Sequence, residues 1–95
     1  MKRFFIYIMT NKPYGTLYVG MTADLVRRVW QHKNRIVESF TCRYGLDRLV
    51  YYEHVDCGRA AYKREYCLKR WRRAWKEKLI EEVNPEWKDL YGDLL

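Results

Sequence analysis

The chain predicts a small α/β (α+β) domain, a three-stranded antiparallel sheet flanked by helices in the order β-β-α-β-α-α. Three observations predict it. Two short aromatic, β-branched runs flank a turn-forming segment, the apolar period turns helical after Gly20, and a third aromatic run precedes a long amphipathic stretch. A length of 95 residues fits one domain over residues 1–95 and excludes a two-domain enzyme, while 48% hydrophobic and 17% aromatic residues supply one core.

Phe4 to Met9 and Leu17-Tyr18-Val19 read as strands joined through Asn11-Lys12-Pro13-Tyr14-Gly15, which carries turn chemistry. Alternation puts Tyr7 on a face with Phe5 and Met9, and antiparallel pairing allows Tyr18 onto that face. Thr22 is a plausible cap for a helix over residues 23–35, with Leu25, Val29 and Ile36 on its apolar side. Arg28 and His32 lie one turn apart on the flank of that side, and Arg27 and Gln31 point to solvent. Phe40 to Gly45 reads as a loop and Arg48 to His54 as the third strand. One long helix is predicted from Gly58 to about Leu79, burying Ala61, Leu68, Trp71, Trp75 and Leu79. Glu65, Lys69, Arg72 and Lys76 form a charged stripe at its rim. Asn84-Pro85 reads as a cap and N1 proline opening a short terminal helix with Trp87 and Leu90.

Nineteen Lys and Arg against twelve Asp and Glu leave a net charge of +7, which points to a polyanionic partner. The three cysteines, Cys42, Cys57 and Cys67, contain no C-x-x-C pair, so a disulfide framework and a zinc ribbon are both disfavoured and reduced, buried thiols are expected. The apolar run Phe4 to Met9 is too short for a secretory or membrane-spanning segment, which predicts a soluble cytoplasmic protein with no membrane partner.

Tyr7 and Tyr18 are either core-edge packing residues or acid–base groups; a phenol, of reference pKa ~10, serves as a base at neutral pH only where cations or a metal stabilise the phenolate. Arg28 is either a solvated helix charge or a guanidinium aimed at a phosphate. His32 is either a satisfied core-edge imidazole or a proton carrier beside Arg28. Glu65 is either half of an i, i+4 pair with Lys69 or a ligand for a single Mg²⁺ (or Mn²⁺), an ion that needs only one or two carboxylates when water and substrate phosphate complete its shell. Lys69, Arg72 and Lys76 either solvate the helix or track a nucleic-acid backbone. Trp71 and Trp75, on the buried arc of this helix, are assigned to the core and not to base stacking.

Phe5-Ile6-Tyr7, then Tyr18-Val19-Gly20, Thr22, Leu25, Arg28 and His32, and later Glu65 and Asn84-Pro85-Glu86-Trp87, resemble the GIY-YIG endonuclease superfamily and its small stand-alone bacterial members. That superfamily includes homing endonucleases, restriction enzymes and the incision domain of bacterial DNA repair. The resemblance implies divalent-metal-dependent hydrolysis of nucleic-acid phosphodiesters, with DNA the expected substrate. By position it implies that Tyr7 and Tyr18 are the motif tyrosines, one of them deprotonating water. Arg28 then holds the scissile phosphate, His32 assists proton movement, and Glu65 binds the metal. Asn84 matches an asparagine near the site in some members, and Gly20 permits close backbone approach. Phe5 stands at the first motif's glycine and Met21 at a lysine of repair-type members, and no recognition domain is attached. Weak or structure-selective cutting is therefore expected rather than sequence-specific cleavage. A binding module of the same fold without turnover is the alternative, and the residues do not determine oligomeric state.

Overall fold

The computed structural model describes residues 3–36 and 44–95. It contains β1 (Phe4–Thr10), β2 (Leu17–Thr22), α1 (Leu25–Lys33), β3 (Arg48–Val55), α2 (Gly58–Arg70), α3 (Arg73–Val83) and α4 (Tyr91–Leu94). The sheet is antiparallel with order β2-β1-β3, so the first strand is central. Ile6 to Thr10 are buried at every position, as expected for a strand covered on both faces. On one face Ile6, Ile8, Val19 and Val50 pack with Ala61 and Leu68 of α2, Ile80 of α3 and Trp87. On the other, Tyr7, Met9 and Leu49 pack with Leu25 and Val29 of α1, with Leu90, Tyr91 and Leu94 against them. Opposite sides of one strand thus serve two cores.

Several sequence expectations are corrected. The cap of α1 is Asp24, whose carboxylate accepts from the Arg27 amide, while Thr22 supports the cap by accepting from the Asp24 amide at 3.1 Å. The helix ends at Lys33, and Ile36 is exposed beyond it. The long helix is two helices: Trp71 and Arg72 are extended (ψ 149 and 148) and separate α2 from α3. No glycine or proline marks this break. A tertiary clasp favours it instead, because Arg73 Nη2 donates to the carbonyls of Tyr14 and Gly15 at the hairpin turn while Nε pairs with Glu77 at 2.8 Å. The break also rotates the buried side, so that Ile80 is buried whereas Trp75 is 53% exposed, contrary to its expected place in the core.

No helix begins at Asn84-Pro85. Asn84 instead closes α3, and the chain turns through Trp87, which is buried at φ 56, before α4. Cys57 and Cys67 are exposed thiols, the first on the residue preceding α2, so the expectation of burial fails for both. Cys42 and most of the expected Phe40 to Gly45 loop lie outside the described residues. No helix among the described residues is long and apolar enough to cross a membrane.

Candidate active site

The hairpin positions both motif tyrosines. Tyr7 on β1 is directly opposite Gly20 on β2, and its ring lies 6.3 Å from that of Tyr18. A Cβ on Gly20 would stand 2.5 Å from Cζ and Oη of Tyr7 and 2.9 Å from Cε2 of Tyr18. The missing side chain is therefore filled by the Tyr7 phenol. The expected close approach at Gly20 is made by this ring.

Helix α1 brings Arg28 and His32 to the same phenol. Arg28 Nε lies 3.4 Å from Tyr7 Oη, and His32 Nε2 lies 3.0 Å from it. Arg28 has only donors, so Oη accepts from Nε, and the phenol keeps its own proton within reach of His32 Nε2. Gln31, expected to face solvent, accepts from Arg28 Nη1 at 3.2 Å and fixes the guanidinium. Its i, i+3 spacing from Arg28 was the available signal. The His32 ring also stands edge-on to Tyr18 at 5.8 Å.

Burial sets the charges. Tyr7 is pushed up to about 12, chiefly by desolvation, with the Arg28 hydrogen bond opposing and the negative charge of Glu65 adding to the rise. His32 is pushed down to about 4 by burial and by the Arg28 cation. Arg28 is held charged, first by its hydrogen bond to Tyr7 and also by Tyr18. At neutral pH the cluster is a cation, a neutral phenol and a neutral imidazole.

Glu65 comes from α2, in the opposite layer, yet its charge is felt at the Tyr7 hydroxyl. It is half-buried and meets Lys69 at 3.6 Å, a loose pair. Among the described residues no three metal-ligating side chains cluster. The lone carboxylate fits an ion that takes one carboxylate and fills its remaining positions with water and phosphate oxygens, as Mg²⁺ does.

Lys69 and Lys76 line a shallow groove of about 310 Å³ with Leu17, Tyr18 and Val19, beside the second motif tyrosine. Arg72 departs from the expected stripe because it lies in the helix break, with its guanidinium 5.6 Å from the Trp75 ring. Asn84 is buried, and its amide is committed to the backbone: Nδ2 donates to the Val50 and Lys88 carbonyls, and Oδ1 accepts from the Lys88 amide. Phe5 packs toward His54, with rings 5.5 Å apart. Met21 packs with the opposite core from Tyr7, so its side chain is directed away from the phenol pair.

Tyr7, Arg28 and His32 thus form one hydrogen-bonded cluster with the Tyr18 ring alongside, on the face of the sheet that α1 covers. Residues 3–78 match the family described as the GIY-YIG catalytic domain. A UPF0213 protein of Staphylococcus saprophyticus is 38% identical over 82 residues, covering 86% of this chain and 99% of its own. A UPF0213 protein of Clostridium perfringens is 36% identical, covering 80% and 81%. The solution NMR structure of a UPF0213 protein from Bacillus halodurans is similar with a TM-score of 0.57 and 26% identity, over 92% of each chain. The chain belongs to the GIY-YIG family, a family of nucleases.

Proposed function

We propose that this protein is a divalent-metal-dependent endonuclease that hydrolyses phosphodiester bonds in DNA, selecting its substrate by structure more than by base sequence. The observation that carries the reading is the position of Tyr7 Oη between Arg28 Nε and His32 Nε2. A buried phenol that is neutral at pH 7 is a poor base by itself, but this one has a proton acceptor already in place. As Tyr7 Oη takes a proton from the attacking water, its own proton moves to His32 Nε2.

Arg28 works at both ends of that transfer. Unliganded, burial first and the Arg28 charge second keep His32 neutral. A phosphate bound to the guanidinium offsets that charge and makes the imidazole more basic when the substrate is present, while the same contact stabilises charge on the phosphoryl oxygens. Tyr18 completes the guanidinium's setting. Glu65 is the residue that would hold a Mg²⁺ or Mn²⁺ ion, which when bound supplies Lewis-acid stabilisation of developing oxygen charge. Lys69 and Lys76 flank the groove beside Tyr18, suitably placed to follow the sugar–phosphate chain.

The test is incubation with single-stranded, duplex and branched DNA and with RNA, each with and without Mg²⁺ or Mn²⁺. Metal-dependent cutting of DNA, lost in Glu65→Ala, Arg28→Ala and Tyr7→Phe variants that retain the wild-type melting temperature, is expected. Salt-sensitive binding with no cutting of any substrate would identify a binding module instead. Cutting that survives in Tyr7→Phe would overturn the assigned proton path.

A further inference from the structure

The outward side of α2 carries residues that the proposed hydrolysis does not use. With Ala61 and Leu68 turned into the core, Arg59, Tyr62, Lys63, Tyr66 and Arg70 fall together on the far side of the helix. Tyr62 is 64% exposed and Tyr66 is 49% exposed. Tyr62, Tyr66, Arg59 and Lys63 line an open groove of about 440 Å³. The Arg70 guanidinium lies 3.6 Å from the centre of the Tyr66 ring, holding that ring in one place. Both rings face solvent, and the charge surrounding them is of one sign. Glu65 is the only acidic residue in α2, and it is paired with Lys69.

We infer that this groove is a stacking platform for an unpaired segment of nucleic acid running on from the strand held in the active site. The inference rests on the nuclease reading and specifies its substrate class, a strand with single-stranded character next to the scissile phosphate. Tyrosine faces stack on any base, and flanking Arg and Lys take the phosphates, which together form a sequence-tolerant single-strand surface. Tyr62 and Tyr66 are one turn apart, about 6 Å along the helix axis, against about 3.4 Å between stacked bases in a duplex strand. Two rings at that spacing suit successive bases of a stretched single strand, whereas duplex bases are already stacked on one another. On the helical wheel Lys69 lies between Glu65 and Tyr66, so a backbone leaving the carboxylate crosses Lys69 before reaching the rings.

The experiment measures binding of a fluorescent oligo(dT), an oligo(U) and a DNA duplex in EDTA, where no cleavage interferes, across a salt series. Tyr62→Ala and Tyr66→Ala are each expected to weaken single-strand binding about five-fold or more, with duplex binding and the salt slope unchanged; Tyr→Phe at either position should retain affinity. Arg59→Ala and Lys63→Ala should instead reduce the salt slope. Equal losses on duplex and single strands, or no loss in the alanine variants, would overturn the platform. Because the assay needs no catalysis, loss of the platform is read as weaker single-strand binding in EDTA and failure of the hydrolytic reading as absence of cutting with Mg²⁺, so the two failures give different results. Tighter binding of oligo(U) than of oligo(dT) would keep the platform and assign its strand to RNA.

Discussion

Replacing Gly20 by alanine puts a methyl carbon 2.5 Å from Cζ and Oη of Tyr7, where an ordinary contact needs about 1 Å more. The Tyr7 ring is buried between the hairpin and α1, so it has no open space into which to move. Gly20 is not in the left-handed backbone region, so the cost is steric and not conformational. Overpacking of this kind costs about 1–3 kcal/mol, and for a domain of this size each kcal/mol lowers the melting temperature by about 4–8 °C. A fall of roughly 5–20 °C is expected by circular dichroism. A displacement of Tyr7 Oη by about 1 Å also detaches it from Arg28 and His32, and a misplacement of that size costs on the order of 10²-fold in turnover. Gly92→Ala is the control, since a Cβ there meets nothing within 4 Å, and its melting temperature should be unchanged or slightly higher. In a Tyr7→Leu background the new methyl has room, so the same Gly20 substitution should cost far less. A Gly20→Ala protein that melts with wild type, or a penalty equally large in the Tyr7→Leu background, would refute the steric account.

His32 should titrate near pH 4 by NMR, and a midpoint at 6.5 or above would show that it is neither buried nor under the Arg28 charge. Because the unfolded chain binds this proton at a higher pH than the folded one, the resulting stability is complete above about 6.5 and is lost as the pH falls towards 4. Urea unfolding across that window should show a loss on the order of 2–3 kcal/mol that flattens in His32→Gln. Asn84→Ala removes three backbone hydrogen bonds and strips a partner from the buried Val50 carbonyl, so a loss of about 2–4 kcal/mol is expected, with the cutting rate per folded molecule intact. A variant that melts within 3 °C of wild type but cuts poorly would move Asn84 into the active site; the 3 °C limit is roughly half of what one kcal/mol is worth.

Local patterns carried most of the fold. Strand alternation put Tyr7, Phe5 and Met9 on one face, and helical spacing put Arg28 and His32 on one flank; both arrangements recur in the structure. What stayed hidden depends on contacts distant in sequence. The break at Trp71-Arg72 has no local marker, and the contact that favours it, Arg73 reaching the Gly15 carbonyl, spans 58 residues of sequence. Trp75 was assigned to the core by a wheel that the break then rotates. Asn84 before Pro85 has the local chemistry of an N-cap, but the Val50 carbonyl, 34 residues earlier, claims its amide. The phenol filling the space above Gly20 was equally unreadable, since the motif shows that a glycine stands there without showing which atoms need the room.

The interruption between α2 and α3 divides labour along what would otherwise be one rod. The N-terminal half carries Glu65, while the C-terminal half grips the hairpin tip, with Glu81 accepting from the Tyr14 hydroxyl and Arg73 holding the adjacent carbonyls. A ligand-gated module spliced between Trp71 and Arg72 would accordingly act as a rheostat, altering the alignment of the carboxylate while leaving the tyrosine-bearing hairpin anchored.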